Sequence, residues 1–385
     1  MHTFLHRFSR NCSSSTLRIS RKILMAFALA GASLLVSTSV SCERGAGTPT
    51  PQPTDTTRSV ASIQPPDWVL GVSGDTSDVQ ARGSGTQFGL VLMGGSTDVD
   101  EAMRWMLERA GGGDVLVLRA TGSTGYNDYL FRLGASVNSV ETLLINSRAI
   151  ANNPDVERRV RNAEMVFISG GDQADYVNFW RGTRLHEALN WLATVKKIPI
   201  GGTSAGCAIL GSTYFTALQG TIRSEAAVQN PYDPLIIMGR NDFLAMPFLE
   251  NTITDTHYNN PIRTGRHLVF MARMIQDSGV APQQMRGIGV EERTAVAVNA
   301  EGRATVFGSG RAFFLRGSSA SATPEVCRAG QPLTWERDKQ AVRGYVVSAS
   351  RSGTGAFNLA TWADSGATGG TWLRYWVVNG VQEER

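Results

Sequence analysis

The chain has 385 residues, 42% of them apolar and 18% charged, with 37 basic and 33 acidic side chains and a formal charge of +4. That apolar content excludes an intrinsically disordered chain, and so small a net charge excludes a polybasic one. Five of the basic residues (Arg7, Arg10, Arg18, Arg21, Lys22) and no acidic ones lie in residues 1–41, leaving 32 against 33 beyond them, so no nucleic-acid partner is inferred.

Residues 1–41 read as a signal peptide. Their basic stretch is followed by a 14-residue apolar run, Ile23 to Val36, shorter than the roughly 20 residues a membrane-spanning helix needs. Ser39-Val40-Ser41-Cys42 sets small residues before a cysteine, as in a bacterial lipoprotein cleavage box, which makes Cys42 the candidate lipidation site. The reading is an exported protein held in the bacterial cell envelope by a lipid anchor, or periplasmic or secreted without one, and touching the membrane through that anchor alone. Residues 42–85, with Pro49, Pro51, Pro53, Pro65 and Pro66, read as a flexible tether. Within it, Trp68-Val69-Leu70 is apolar enough to dock on the folded domain.

From Phe88 onward short apolar runs alternate with helical patterns. Phe88–Met93, Val115–Leu118, Glu141–Ile145, Met165–Ser169 and Ile198–Ile200 read as strands. Val99–Ala110, Asn127–Leu133, Asp155–Ala163 and Tyr176–Val195 read as helices. This alternation predicts an α/β fold with a mostly parallel sheet covered by helices on both faces. Ligands on such sheets bind at the carboxyl ends of the strands. Gly94-Gly95, Gly170-Gly171-Asp172-Gln173 and the turn at Ser204 are thereby expected along one rim.

Gly202-Thr203-Ser204-Ala205-Gly206 fits the G-x-S-x-G pattern of a nucleophile elbow, between a strand-like run and a helical run from Ala205 to Leu218. A serine on such a turn needs a base, and beyond the leader there are three histidines, His186, His257 and His267. His186 and His267 lie in helical patterns. His257 follows the strand-like Asn251–Asp255 into a loop and is the candidate base. For the orienting acid, a regular strand over 286–298 would put Glu292 in a row with Ile288, Val290 and Thr294, where a carboxylate needs a strong partner. A bulge near Gly289 would favour Glu291 instead. Cys207 and Cys327 are the cysteines left in the folded part; Cys207, one turn behind Ser204, reads as a small buried thiol.

Four stretches occur in order here: Phe167-Ile168-Ser169-Gly170-Gly171-Asp172-Gln173; Gly201-Gly202-Thr203-Ser204-Ala205-Gly206; Asp255-Thr256-His257-Tyr258 with Arg263 and Arg266; and Gly287-Ile288-Gly289-Val290-Glu291-Glu292-Arg293-Thr294-Ala295. Together they resemble the cyanophycinase branch of the S51 serine peptidases. The resemblance implies a flavodoxin-like fold of the class I glutamine amidotransferase type and a catalytic triad of Ser204, His257 and Glu292. It implies an oxyanion hole from the N–H groups of Ala205 and of Asp172 or its neighbour Gly171. It also implies a pocket lined by Gln173, Asp255, Arg263 and Arg266. The substrate it implies is a peptide or a cyanophycin-like polymer, an aspartate backbone bearing arginines, with β-Asp-Arg released and neither metal nor organic cofactor required; it also admits a homodimer. Cys207, Tyr258 and Pro261 depart from the family pattern.

After Ala300, Arg303–Phe307 and Ala312–Leu315 read as a hairpin closing a peptidase-like domain over 86–316. Residues 317–385, with Tyr345–Val347 and Trp372–Val378, read as a small C-terminal β appendage.

Overall fold

The computed structural model describes residues 65–79, 81, 85–133 and 136–385. The leader, Cys42 and the expected tether as far as residue 64 lie outside the described residues. In chain order the strands are β1 (Val69–Gly74), β2 (Gly89–Met93), β3 (Asp114–Arg119), β4 (Ser139–Leu144), β5 (Met165–Ile168), β6 (Pro199–Thr203), β7 (Thr213–Phe215), β8 (Met238–Arg240) and β9 (Thr252–Asp255). They continue as β10 (Arg286–Val290), β11 (Thr294–Val298), β12 (Arg303–Gly308), β13 (Arg311–Gly317), β14 (Val342–Ser348), β15 (Thr354–Asn358), β16 (Gly370–Val378) and β17 (Val381–Glu384).

Among the described residues these strands form two sheets. The nine-stranded one runs β1-β4-β3-β5-β6-β2-β11-β12-β15 and the eight-stranded one β17-β16-β14-β13-β10-β9-β7-β8. The centre of the first sheet, β4 to β2, is parallel throughout. Its flanks are antiparallel, so the α/β class holds while the sheets are mixed.

Strand alternation explains the layers. On β2, β3 and β5, Val91, Met93, Val115, Val117, Met165 and Phe167 point to one face, where Met103, Met106 and Leu107 of the helix Asp100–Arg109 cover them. Leu90, Leu92, Leu116, Leu118, Val166 and Ile168 point to the other, under the helices Pro154–Asn162, Gln173–Trp180 and Arg184–Trp191. Both faces are apolar because both are buried, as a helix-covered parallel sheet requires. One face of the second sheet, through Ile288, Val290, Ala312, Phe314, Tyr345 and Val347, joins that same core. The helix Thr264–Ser278 covers its other face.

Several elements differ from the sequence reading. The helix expected over Tyr176–Val195 is broken at Gly182, whose φ of +68° ends one helix, and Thr183, whose hydroxyl accepts the His186 N–H to start the next. The helix expected from Ala205 to Leu218 is only Ala205–Ala208; Thr213 to Phe215 are drawn into β7 instead. Val69–Gly74, placed in the tether by composition, is an edge strand on β4, and Trp68 lies buried beside it.

The largest difference lies after Val298. β12 and β13 are not a hairpin, since β12 pairs with β11 and β15 in the first sheet while β13 pairs with β10 and β14 in the second. The turn between them carries the chain from one sheet to the other. Residues 317–385 are likewise no appendage: β14 pairs with the whole of β13, and β15 closes an edge of the first sheet. Trp335 is fully buried in the second core and donates its indole N–H to the Ala322 carbonyl at 3.0 Å. Trp335→Ala should therefore cost about 3–5 kcal/mol. In urea, circular dichroism should show the whole described region unfolding in one earlier transition; an unchanged main transition would mean that the C-terminal part is energetically separate.

Candidate active site

Ser204 follows the end of β6, which lies between β5 and β2 at the middle of the nine-stranded sheet and is parallel to both. Its backbone is at φ 53°, ψ −121°, a conformation that costs a non-glycine residue about 1–3 kcal/mol and persists only when its surroundings enforce it. The enforcement is visible. The Ser204 N–H is tied to the Met93 carbonyl at 3.2 Å, and Ala208 N–H returns to the Ser204 carbonyl at 2.9 Å. A methyl group on Gly202 would strike the Gly206 carbonyl, and one on Gly206 would strike the Ile168 carbonyl. The two glycines of G-x-S-x-G are thus packing requirements of the turn.

His257 comes from the second sheet. Just past the end of β9 its backbone takes φ 48° and its N–H donates to the Gly94 carbonyl at 2.7 Å. This sets the imidazole Nε2 at 2.8 Å from Ser204 Oγ and Nδ1 at 2.8 Å from Glu292 Oε1. With Nδ1–H donating to the carboxylate, Nε2 is free to accept the serine proton. Gly95 leans on the same ring, and a methyl group there would overlap it.

Glu292 reaches His257 for a different reason from the one expected. The stretch 286–298 is not one strand: β10 stops at Val290, β11 starts at Thr294, and Arg293 at φ 55° turns the corner between the two sheets. Glu292 sits in that corner. Asn259 Oδ1 accepts its N–H at 3.0 Å and Asn260 Nδ2 donates to its Oε1 at 3.3 Å. The hydrogen bond from His257 above all holds its carboxyl below the ordinary glutamate range. Glu291 instead accepts two bonds from Arg311, at 3.0 and 2.7 Å. Gly95, expected on the rim, stands against the catalytic imidazole; Asn259 and Asn260 have no sequence signal, since nothing in their local pattern separates them from ordinary loop residues.

The loop Gly170–Asp172 overhangs the serine: a methyl on Gly170 would stand 3.4 Å from Ser204 Cβ and 3.9 Å from Oγ. Among the described residues the N–H groups of Gly171 and Asp172 donate to nothing in the protein. Ala205 opens its short helix, so its N–H has no helical acceptor either. Asp172 is the N-cap of Gln173–Trp180, its carboxylate accepting the Ala174 N–H at 2.9 Å. Gln173 donates to the Phe215 carbonyl at 2.6 Å.

Of the expected pocket ions, Asp255 and Arg266 are bound to each other. Both are buried, with Arg266 Nε 2.8 Å and Nη2 2.5 Å from the two carboxylate oxygens. Arg266 also donates to Thr221 Oγ1 at 3.1 Å and the Ile222 carbonyl at 3.2 Å. Burial pushes the Asp255 carboxyl up, yet Arg266, with Arg263 behind it, outweighs burial and leaves it below the usual range. Arg263 is held more loosely, 3.7 Å from Asp255. Two guanidiniums therefore share one carboxylate, and the surplus positive charge rests on Arg263. His267 is fully buried between the Tyr258 hydroxyl (3.1 Å) and the Ile253 carbonyl (3.3 Å), and burial lowers its pKa to about 4. His186 bonds to the Gly182 N–H and the Phe243 carbonyl. Neither reaches Ser204. Cys207 and Cys327 are free buried thiols, whose pKa values burial raises.

An α/β domain that presents a serine on such an elbow to an imidazole, and that imidazole to a carboxylate, has the build of a serine-type hydrolase. The comparisons with known proteins narrow this. Residues 123–306 match the model of peptidase family S51. The resemblance drawn from the four ordered motifs is borne out. The chain is 27% identical over 232 residues to the cyanophycinases of Synechococcus elongatus and Thermosynechococcus vestitus, covering 58% of this chain and 66% of each relative. It is 24% identical over 184 residues to the cyanophycinase of Geminocystis herdmanii, covering 48% of this chain and 61% of that one. The match thus spans less than two thirds of these relatives. A crystal structure of a peptidase from an acI-B1 actinobacterium aligns at a TM-score of 0.41 and 16% identity, over 59% of this chain and 89% of that one.

Because Arg266 is buried on Asp255, removing the carboxylate leaves a buried cation unpaired. Asp255→Asn should cost about 3–5 kcal/mol. The depressed pKa gives the pair a definite pH window: its stabilisation is present above the ordinary carboxylate range and is lost as pH falls through the lowered value. Wild type and variant should therefore differ fully at neutral pH and converge only in strong acid. Urea titrations at neutral and acid pH check this, and equal stability at neutral pH would contradict it.

Proposed function

We propose that this chain is an exported serine peptidase that hydrolyses aspartyl or β-aspartyl peptide bonds through an acyl-enzyme, with cyanophycin as substrate and β-Asp-Arg as product. The observation that carries the reading is the pair of 2.8 Å contacts joining Ser204, His257 and Glu292. Similarity to cyanophycinases supports the choice of substrate, and the basic and apolar leader supports export.

In this reading His257 Nε2 takes the Ser204 proton as Oγ attacks the amide carbonyl. Glu292, kept ionised by its bond to His257, stabilises the imidazolium. The N–H groups of Ala205 and of Gly171 or Asp172 hold the oxyanion, which collapses as His257 hands the proton to the departing nitrogen. Water, deprotonated by the same imidazole, then attacks the ester and releases the acid and Ser204. The substrate carboxylate is met by Arg263, the cation with charge to spare, while Arg266 keeps Asp255 in place. Gln173, whose amide N–H is held by the Phe215 carbonyl, is assigned to the same pocket on the family resemblance.

The experiment is release of β-Asp-Arg from insoluble cyanophycin by the purified protein, with Ser204→Ala as control. Loss of the nucleophile should cut the rate by at least about 10³. Equal release from both proteins, or none from the wild type, contradicts the proposal.

A further inference from the structure

Beside Arg263 lies a second concavity that the proposed chemistry does not use. It is a cleft of ≈ 400 Å³ between the helix Ser224–Gln229, the start of Thr264–Ser278 and the β16–β17 turn, within the usual ~300–1,000 Å³ range of small-molecule sites. Its walls are apolar, formed by Val228, Ile262 and Val381. Ile262 and Val381 are 65% and 58% exposed, among the few large apolar side chains left in water. Its polar side chains are Ser224, whose hydroxyl donates to the Ile262 carbonyl and accepts the Arg266 N–H, and Glu225, Gln229 and Gln382. Among the described residues Glu225 is solvent-exposed, and its carboxylate has no hydrogen bond and no ion pair. Arg223, two positions before it, does not line the cleft. Gln229 donates its amide N–H to the Gly380 carbonyl at 3.2 Å, which leaves its amide oxygen as an acceptor.

Apolar walls with acceptors and one unpaired carboxylate suit a side chain that has an aliphatic stem and a cationic donor head. We infer that this cleft is a subsite for an arginine or lysine side chain of the peptide being cleaved. The inference rests on the peptidase reading above. Chain geometry links the two sites, because Ile262 on the cleft wall immediately precedes Arg263, and both are pinned: the Ile262 carbonyl accepts the Ser224 hydroxyl at 2.7 Å, and the Arg263 N–H donates to the Tyr258 carbonyl at 3.0 Å. The guanidinium proposed to bind the substrate carboxylate and the wall of the cleft thus come from adjacent residues, the arrangement that a zwitterionic repeat would need. The subsite also gives the C-terminal strands a role, since Val381 and Gln382 come from β17.

The test is binding without turnover. The full chain carrying Ser204→Ala is titrated calorimetrically with a short β-aspartyl peptide bearing arginine and with its citrulline counterpart, which keeps the shape but not the charge. The arginine peptide should bind about tenfold tighter, the size of one charge-assisted contact, and Glu225→Gln should erase that preference while leaving citrulline binding unchanged. Equal binding of the two peptides, a preference that survives Glu225→Gln, or no binding at all overturns the subsite. It is overturned as well if the cleft proves to be a self-association face, seen in sedimentation as a dimer dissolved by Val381→Asp. Fluorophosphonate labelling of Ser204 in the unmutated chain, read separately, shows whether the peptidase reading stands when the subsite falls.

Discussion

The hydrogen bond between Ser204 Oγ and His257 Nε2 joins groups carried by two different sheets, and the architecture is organised around making that contact. The serine needs the middle of a parallel sheet, where a strand end, a glycine-lined turn and a helix start combine to hold a strained backbone. The histidine needs the end of β9 in the neighbouring sheet. Each contributes a left-handed residue, and the Gly94 carbonyl bonded to the His257 N–H fixes one relative to the other.

The acid completes this logic from the seam. Glu292 lies where the chain leaves β10 of the second sheet and enters β11 of the first, so the corner that joins the sheets also orients the imidazole. Gly94 lies within the same seam: a methyl group there would strike the Glu291 carbonyl, which ties the loop after β2 to the turn bearing the acid. The buried Asp255–Arg266 pair anchors the other side of the histidine loop. A buried pair of this kind adds little net stability but strongly disfavours any arrangement that separates its members. Beside it, Arg263 keeps an incompletely matched charge at the edge of the site.

Much of this was legible in the residues. The strands flanking Ser204 declare themselves as continuous apolar runs because both sheet faces are buried, and Ser204 and His257 follow from the elbow pattern and the scarcity of histidines. Glu292 was chosen over Glu291 on a strand alternation that the chain does not follow, since Arg293 turns through a left-handed conformation no local pattern announces. The second sheet was less visible. Its strands pair across long sequence separations, as β9 does with β10, and single-sequence periodicity carries no register. For the same reason β12 and β13, neighbours in sequence with a glycine-bearing turn between them, look like a hairpin while belonging to different sheets. The resemblance places Arg266 and Asp255 alike in the pocket lining, and only packing shows that Asp255 has claimed Arg266.

The central question for this site is whether Ser204 is an activated nucleophile. Fluorophosphonate labelling followed by peptide mass mapping, performed on wild type, His257→Ala and Glu292→Gln, reads this without assuming a substrate. A single labelled residue, Ser204, is expected, with labelling slowed by roughly 10²–10⁴ when the base is removed and less severely when the acid is neutralised. Wild-type protein that stays unlabelled, or His257→Ala labelled at the wild-type rate, would contradict it.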